Sequence, residues 1–508
     1  MFKRLLAKVK EVMQRMGLID GVKKLSEHKD ISINDEMYEE IEKWKSLYKG
    51  YYEDMHKVKY HTIEKGNQTR RMQSLGMPKV VSEEMASLVF NEKCQISISD
   101  DKTKNFIDEV FKQNKFNKNF QDYLEFMFGL SGMVIKPYAQ DNKVKLTFVT
   151  AECFIPLSWD NGGIFEGVFI NEFRKGKKYY THLEWHTWQG NTLIIRNTLH
   201  VSETQGELGV DITGRFEEFF PGVAIEATLP VNPDKKANSF AYFKPNIANN
   251  VDTQSPLGIS IFANSIDTLR AIDTAFDSFH QEFVLGKKRI VVPAHMVKTV
   301  VDPQTGKTHR YFDANDSTYE AFDYGDMDQD TIKDIEITLR VDEHIAAINA
   351  LLNLFSMQAG FSPGSFSFDG QSMKTATEVV SEQSKTFKSK KAHETVIEAG
   401  LQELIASILQ IAELYGIFKA PDDYEVTVAF DDSIAEDKTA EIGRLSQELS
   451  QGIIPKKRAI MRYYGLTEEE AIDWIAEINE ERATATAESV DFFGTGGGNN
   501  GTNTNQEA

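Results

Sequence analysis

The stretch Ser255-Pro256-Leu257-Gly258-Ile259-Ser260-Ile261-Phe262-Ala263-Asn264-Ser265-Ile266-Asp267 opens the region around which the chain is organised, residues 255–416. Ser255 is a capping-type residue and Pro256 suits a first helical turn, which predicts a helix from this point. Phe262, Ile266, Leu269, Phe276, Phe279 and Phe283 then recur at spacings of three, four and seven. That seam is like one side of a coiled coil and asks for a neighbouring helix. A small β-insert, a second helix over 342–358 and an exposed loop follow. A helix from about 374 to 415 closes the region, with no proline and only Gly400 as an interior glycine. Its first half carries Ser381, Glu382, Gln383, Ser384, Lys385, Lys388, Ser389, Lys390 and Lys391 and is polar nearly all round. A long helix of that kind bridges surfaces or packs between subunits.

The 508 residues suffice for several domains, each with its own core. A hydrophobic share of 41% and a charged share of 26% are those of a globular protein. The formal charge of −20 argues against tight nonspecific adhesion to nucleic acid, although it suits a protein that DNA slides past. Two distant cysteines, Cys94 and Cys153, form no disulfide framework or metal pattern, and a reducing cytosol suits them. Residues 1–26 lack a continuous apolar segment, so no signal peptide is expected. The uncharged run 344–368 approaches membrane-spanning length, but Asn349, Asn353, Gln358 and Pro363 favour a buried helix and loop.

Outward from the central region, residues 2–25 read as a basic amphipathic helix. Leu5, Leu6, Val9, Val12, Met13 and Met16 oppose Lys3, Arg4, Lys8, Lys10 and Arg15, a face for docking on protein or, less simply, on a membrane surface. Helices are predicted over 34–49, 78–92 and 101–133, with Arg70-Arg71 as a surface ion-pairing doublet. Between 133 and 203 the period falls to two and turn residues intervene, giving an antiparallel sheet domain. Residues 205–250 are loop-rich and receive no assignment. In the insert, 290–293 reads as a strand and 302–307 as a hairpin turn, followed by an acidic run with Asp323, Asp326, Asp328, Asp330 and Asp334. A strand at 424–430 precedes helices over 433–450, 455–464 and 467–482, the last opened by the Thr467/Glu470 capping box. Residues 483–508 are expected to be disordered.

Few motifs suggest chemistry. Gly306-Lys307-Thr308 ends like a phosphate-binding loop, but Val301 stands where another glycine is needed and a strand follows. His182, Glu184 and His186 alternate, so a strand presents them on one face. Zinc accepts such ligands, yet the wet side of a half-buried strand explains them better. No nucleophile elbow, His-Glu-x-x-His or dinucleotide turn occurs, no cofactor is implied, and no catalysis is expected. Lys374, Lys385, Lys388, Lys390 and Lys391 make the long helix locally basic. Solvated surface with intersubunit ion pairs and transient contact with nucleic-acid phosphates both account for them.

Three passages resemble tailed-phage portal proteins, of the group from phages with long noncontractile tails that infect Gram-positive bacteria. They are Met77-Pro78-Lys79-Val80-Val81-Ser82-Glu83-Glu84-Met85-Ala86-Ser87-Leu88-Val89-Phe90-Asn91-Glu92, the stretch from Pro256 to Asp267, and Ser372-Met373-Lys374-Thr375-Ala376-Thr377-Glu378-Val379 after a Gly/Ser/Phe loop. The resemblance covers most of 1–480. It implies a multidomain α+β portal fold that assembles as a ring. Residues 1–254 would be N-terminal helices and a β-rich wing, 255–286 a stem helix, 287–339 the clip and 340–359 a second stem helix. Residues 360–373 would be the tunnel loop, 374–432 the long helix and wing return, 433–482 a helical crown and 483–508 a disordered tail.

On this resemblance the chain is a dodecameric channel at one capsid vertex, in the virion and beforehand in the host cytoplasm. DNA is packaged and ejected through it. Ser362, Ser365, Phe366, Ser367, Phe368 and Lys374 would face double-stranded DNA in the channel. Asp323, Asp326, Asp328 and Asp330 would meet partners at the clip. The implied partners are the terminase large subunit, a head-completion adaptor, and the major capsid and scaffolding proteins, with no membrane. The alternatives are a tail or head assembly protein without a bore, and a metal-dependent enzyme built on His182, Glu184 and His186.

Overall fold

The computed structural model describes residues 35–62, 66–91, 94–286, 289–291, 298–301, 306, 308–311, 333–335, 338–367, 384–430, 438–464 and 471–478. The expected helix over 2–25, Asp323, Asp326, Asp328, Asp330, Phe368, Lys374, the Thr467/Glu470 box and the tail 483–508 lie outside these residues. The described chain is α+β, with antiparallel strand pairing throughout, and it divides into two compact units. One comprises Met1–Gln371 with Gln383–Asp431, the other Ser372–Glu382 with Asp432–Ala508.

In the first unit, helix α1 (Asp35–Tyr48) buries Met37, Ile41 and Trp44, a spacing that places them on one helical face. A hairpin of β1 (Lys57–Thr62) and β2 (Gly66–Arg71) follows, which the sequence reading did not identify. Helix α2 (Met77–Val89) begins with Pro78 in its first turn after Gly76 at φ 70°. Strand β3 (Gln95–Ile98) leads to α3 (Asp101–Gln113), where Asp100 caps the helix by accepting from Thr103 N at 2.8 Å. The single helix expected over 101–133 is two, because Lys115 adopts a left-handed conformation (φ 51°) before α4 (Phe116–Leu130). Asn114 fixes this break: its side chain donates to Val144 O and accepts from Leu146 N, tying the corner to the next strands. Phe116, Phe120, Leu124 and Phe128 then point from α4 into the core at intervals of four.

The expected sheet domain consists of two sheets. The smaller orders β12 (Ala241–Phe243), β4 (Met133–Gln140) and β5 (Lys143–Thr150). The larger runs β10 (Val210–Asp211), β9 (Thr192–Ser202), β8 (Lys178–Gln189), β7 (Gly163–Lys175), β6 (Phe154–Asp160), with β11 (Glu226–Pro230) also on β9. The two sheets meet through aromatic rings: Phe154 and Phe169 from the larger each lie within 5.5 Å of Phe240, next to β12.

Residues 255–262 are not helical. Leu257, Ile259, Ile261 and Phe262 are buried along an irregular segment whose Ile261 N donates to Phe128 O at 2.9 Å. Gly258 passes so close to Ser131 that a Cβ there would sit 2.3 Å from the Ser131 carbonyl oxygen. Helix α5 (Ile266–Leu285) starts only after a 3-10 turn at Ala263–Ser265. Phe262 is therefore a core residue outside the helix and not the first member of its seam.

Between α5 and α6 (Val341–Gln358), strand β13 (Arg289–Val291) pairs with β16 (Lys333–Ile335), and β14 (Lys298–Val301) pairs with β15 (Thr308–Tyr311) as the hairpin reading anticipated. Helix α7 (Ser384–Leu414) packs its apolar half on β4, β12 and α2, and β17 (Val426–Ala429) pairs with β3. Length and composition would let 385–414 cross a membrane, but 61% of its most apolar window is buried inside the protein. In the second unit, α8 (Lys438–Ser450), α9 (Lys456–Tyr464) and a helix over 471–478 bury Leu445, Ala459 and Ala471, with Tyr464 and Trp474 5.1 Å apart.

Candidate functional site

The segment singled out in sequence forms a helix pair, a loop and the start of α7. Along α5, Leu269 is buried and Phe276 and Phe279 are half-buried, whereas Phe283 is 46% exposed at the helix end. The C-terminal turn of α5 meets the first turn of α6: Phe279 packs on His344, and Glu282 accepts from Arg340 Nε and Nη2 and from the backbone N of Arg340, with His344 on the same carboxylate. The Arg340 guanidinium, aided by His344, lowers the Glu282 carboxyl to about 2. This cluster closes the root of the insert, and no periodicity announces it. A second clasp holds the β1–β2 hairpin on α5. Asp277 accepts from both terminal nitrogens of Arg70 (2.7 and 2.6 Å) and from Gln73 N, while Asp273 accepts from Leu75 N and lies 3.0 Å from His56 Nε2. Arg70 thus makes a long-range pair with a buried carboxylate, more than the surface ion pair expected for the Arg70-Arg71 doublet.

Beyond α6 the chain turns at Gly360 (φ 84°) and Gly364 (φ 85°). Ser362, expected to face the bore, is 1% exposed: its N donates to Thr386 Oγ1 at 2.9 Å, and Thr386 N donates back to Ser362 Oγ at 3.3 Å. It anchors the loop and is not part of its surface. Pro363, Gly364, Ser365 and Ser367 are exposed, and Asn353 supports them by accepting from Gly364 N at 2.7 Å. Phe366 is half-buried, its ring 5.0 Å from that of Phe361.

The polar half of α7 is less uniform than its sequence implied. Lys388 is exposed, and Lys385 is exposed with its ammonium donating to Met357 O. Lys390 is 1% exposed and its Nζ lies 2.7 Å from Glu394 Oε1, while Lys391 reaches Glu394 Oε2 at 3.1 Å. Lys390 is therefore an internal ion-pair partner and is not presented to phosphates or neighbours. His393 is buried beside them, accepting from Asn246 N at 3.0 Å. Burial lowers its imidazole to about 4.

The wet-face reading of His182, Glu184 and His186 fails. That face of β8 packs on the smaller sheet and on the turn at 216–220, leaving His182 and His186 buried. His182 Nε2 pairs with Asn197 Oδ1 at 2.8 Å. His186 bridges Glu184 (2.9 Å) and Ser239 (2.7 Å), and Lys136 donates to Glu184 at 2.5 Å. Burial lowers both imidazoles; it would raise Glu184, but Lys136 and then His186 hold that carboxyl well below its usual range. The group is a sheet-to-sheet polar bridge. Among the described residues no three His, Cys, Asp or Glu side chains are grouped to hold a metal ion.

Residues 27–485 match a family model described as phage portal protein, SPP1 Gp6-like. The chain belongs to this tailed-phage portal family. The match spans α5, α6, the residues between them, the loop after α6 and α7. The family is one of structural virion proteins. No curated protein matches the chain.

Proposed function

We propose that this portal protein builds a ring-shaped channel at one capsid vertex, through which duplex DNA is packaged and later ejected. The observation that carries the reading is the continuous family match across the helix pair, loop and long helix. In this reading α5 and α6 form the stem, 287–339 the clip, 360–373 the tunnel loop and 433–482 the crown. The loop geometry suits the role, because an exposed tip is held at its base by the buried Ser362–Thr386 pair. Exposed apolar side chains on the stem pair, Phe283, Leu285, Leu354 and Met357, suit head-to-tail neighbours that close a ring. A net charge of −20 keeps such a conduit from gripping its cargo.

The clip would receive the terminase large subunit, which supplies the ATPase, and later a head-completion adaptor. Capsid and scaffolding proteins would surround the ring, and the portal itself would need no catalysis. Incorporation into procapsids with a terminase and a DNA substrate tests this. Packaging should fail without the portal and return with the intact chain, and packaging that proceeds equally without it refutes the proposal.

A further inference from the structure

The turn joining β7 and β8 reads Arg174-Lys175-Gly176-Lys177-Lys178, four cations in five residues of a chain whose net charge is −20. All five residues are exposed. Strand β6 pairs with β7 only from Gly163 to Phe169, so residues 170–175 project past β6 and pair with β8 alone. Gly176 at φ 69° makes the tight turn. Rings organise the cations: Lys175 Nζ lies 4.5 Å over Phe219 and the Arg174 guanidinium 5.5 Å over Tyr179. Arg174 Nε also donates to Gly176 O at 3.1 Å, closing the turn. The flanking elements carry Glu203, Asp211, Glu217 and Glu218. Of these, Glu218 is held by Arg215 at 2.7 Å and Asp211 accepts from Thr213 N at 2.7 Å.

We propose that this hairpin tip is a contact site for the phosphates of duplex DNA, separate from the loop and from α7. Clustered lysines at a protruding ribbon end suit phosphate, which asks for charge without shape-matched pairing. A protein partner fits less well. Protein interfaces centre on apolar or aromatic anchors and are poor in lysine, and here Phe173, Tyr180 and Phe219 are packed on one another under the cations. The choice of DNA over other polyanions rests on the portal reading; the site itself does not.

The test is anisotropy of the purified full-length protein with a short labelled DNA duplex of mixed sequence, across a salt series. The variant Lys175→Glu/Lys177→Glu/Lys178→Glu is compared with Lys385→Glu/Lys388→Glu, and far-UV circular dichroism verifies both folds. The hairpin variant should lose at least tenfold in affinity at low salt. The slope of log K against log salt should fall by about 0.9 for each lost phosphate contact. Duplex binding unchanged in the hairpin variant, or lost only in the α7 variant, overturns the proposal. So does displacement of the duplex by polyglutamate at equal charge concentration, which points to an acidic protein instead. Loss of binding in a protein that never forms rings leaves the site standing and removes the portal reading, whereas rings with unaltered binding do the reverse.

Discussion

Lys390 Nζ lies 2.7 Å from Glu394 Oε1 one turn further along α7, and both side chains are buried. Two charges taken out of water compensate each other, and a carboxylate put in place of the ammonium would face Glu394 as a second buried negative charge. Lys390→Glu should therefore destabilise the protein by about 3–5 kcal/mol. Lys388→Glu, two residues earlier on the exposed face, should alter stability by less than about 0.5 kcal/mol. The double change Lys390→Met/Glu394→Leu should recover most of the loss. Urea denaturation of the four proteins measures this, and equal effects at 388 and 390 would contradict the burial.

Stability should decline as the pH falls from about 6.5 to 4. His393 titrates near 4 when folded and near its ordinary value when unfolded, so in that window the unfolded chain binds more protons. His182 and His186 are shifted in the same direction by the same cause. The slope for His393 alone is about 1.4 kcal/mol per pH unit within the window. His393→Gln should flatten the profile between pH 7 and 5, as read from denaturation midpoints. An unchanged profile in that variant would show that the imidazole is not held neutral.

Asp277→Ala should release the β1–β2 hairpin from α5. Two charge-assisted bonds from Arg70 and one from Gln73 N end on this carboxylate, so a loss of roughly 2 kcal/mol is expected. Hydrogen exchange should accelerate in Gly66–Arg71 and little in β7–β9. Uniform acceleration would mean that the clasp supports the whole unit.

Gly258→Ala should cost about 1–3 kcal/mol, because the new Cβ meets the Ser131 carbonyl oxygen, which is backbone and cannot swing aside. Gly214→Ala, where the added Cβ meets nothing, is the control. Thermal denaturation separates the two.

Deletion of residues 365–368 should leave the subunit folded and ring formation intact while DNA packaging or retention fails. The buried anchor, Ser362 with Thr386, stays in place. Counting filled capsids reads the outcome, and normal filling would remove the loop from the channel.

Much of the architecture was legible in sequence. The period of two across 133–203 marked the strands, and helical periodicity over 34–49 marked α1. The three quoted passages resembled tailed-phage portal proteins, and the family match over 27–485 agrees. What escaped depended on distant neighbours. The apolar run 255–262 has a helix-compatible beginning, but Phe128 and Ser131 on α4 and its end draw it into an irregular buried path. The alternation at His182, Glu184 and His186 told which face they share and not that a second sheet covers it with Lys136 and Ser239. Lys390 read as one of several lysines because nothing local distinguishes the turn of α7 that Asn246 and Phe128 enclose. Ser362 looked like its loop neighbours for the same reason, since its partner Thr386 lies beyond the loop.

The most direct test of the central claim is electron microscopy of the purified full-length protein, with its mass measured by light scattering. Closed rings with a central hole wide enough for a DNA duplex are predicted. Monomers or dimers persisting across salt and protein concentration, and with scaffolding protein added, would contradict the channel.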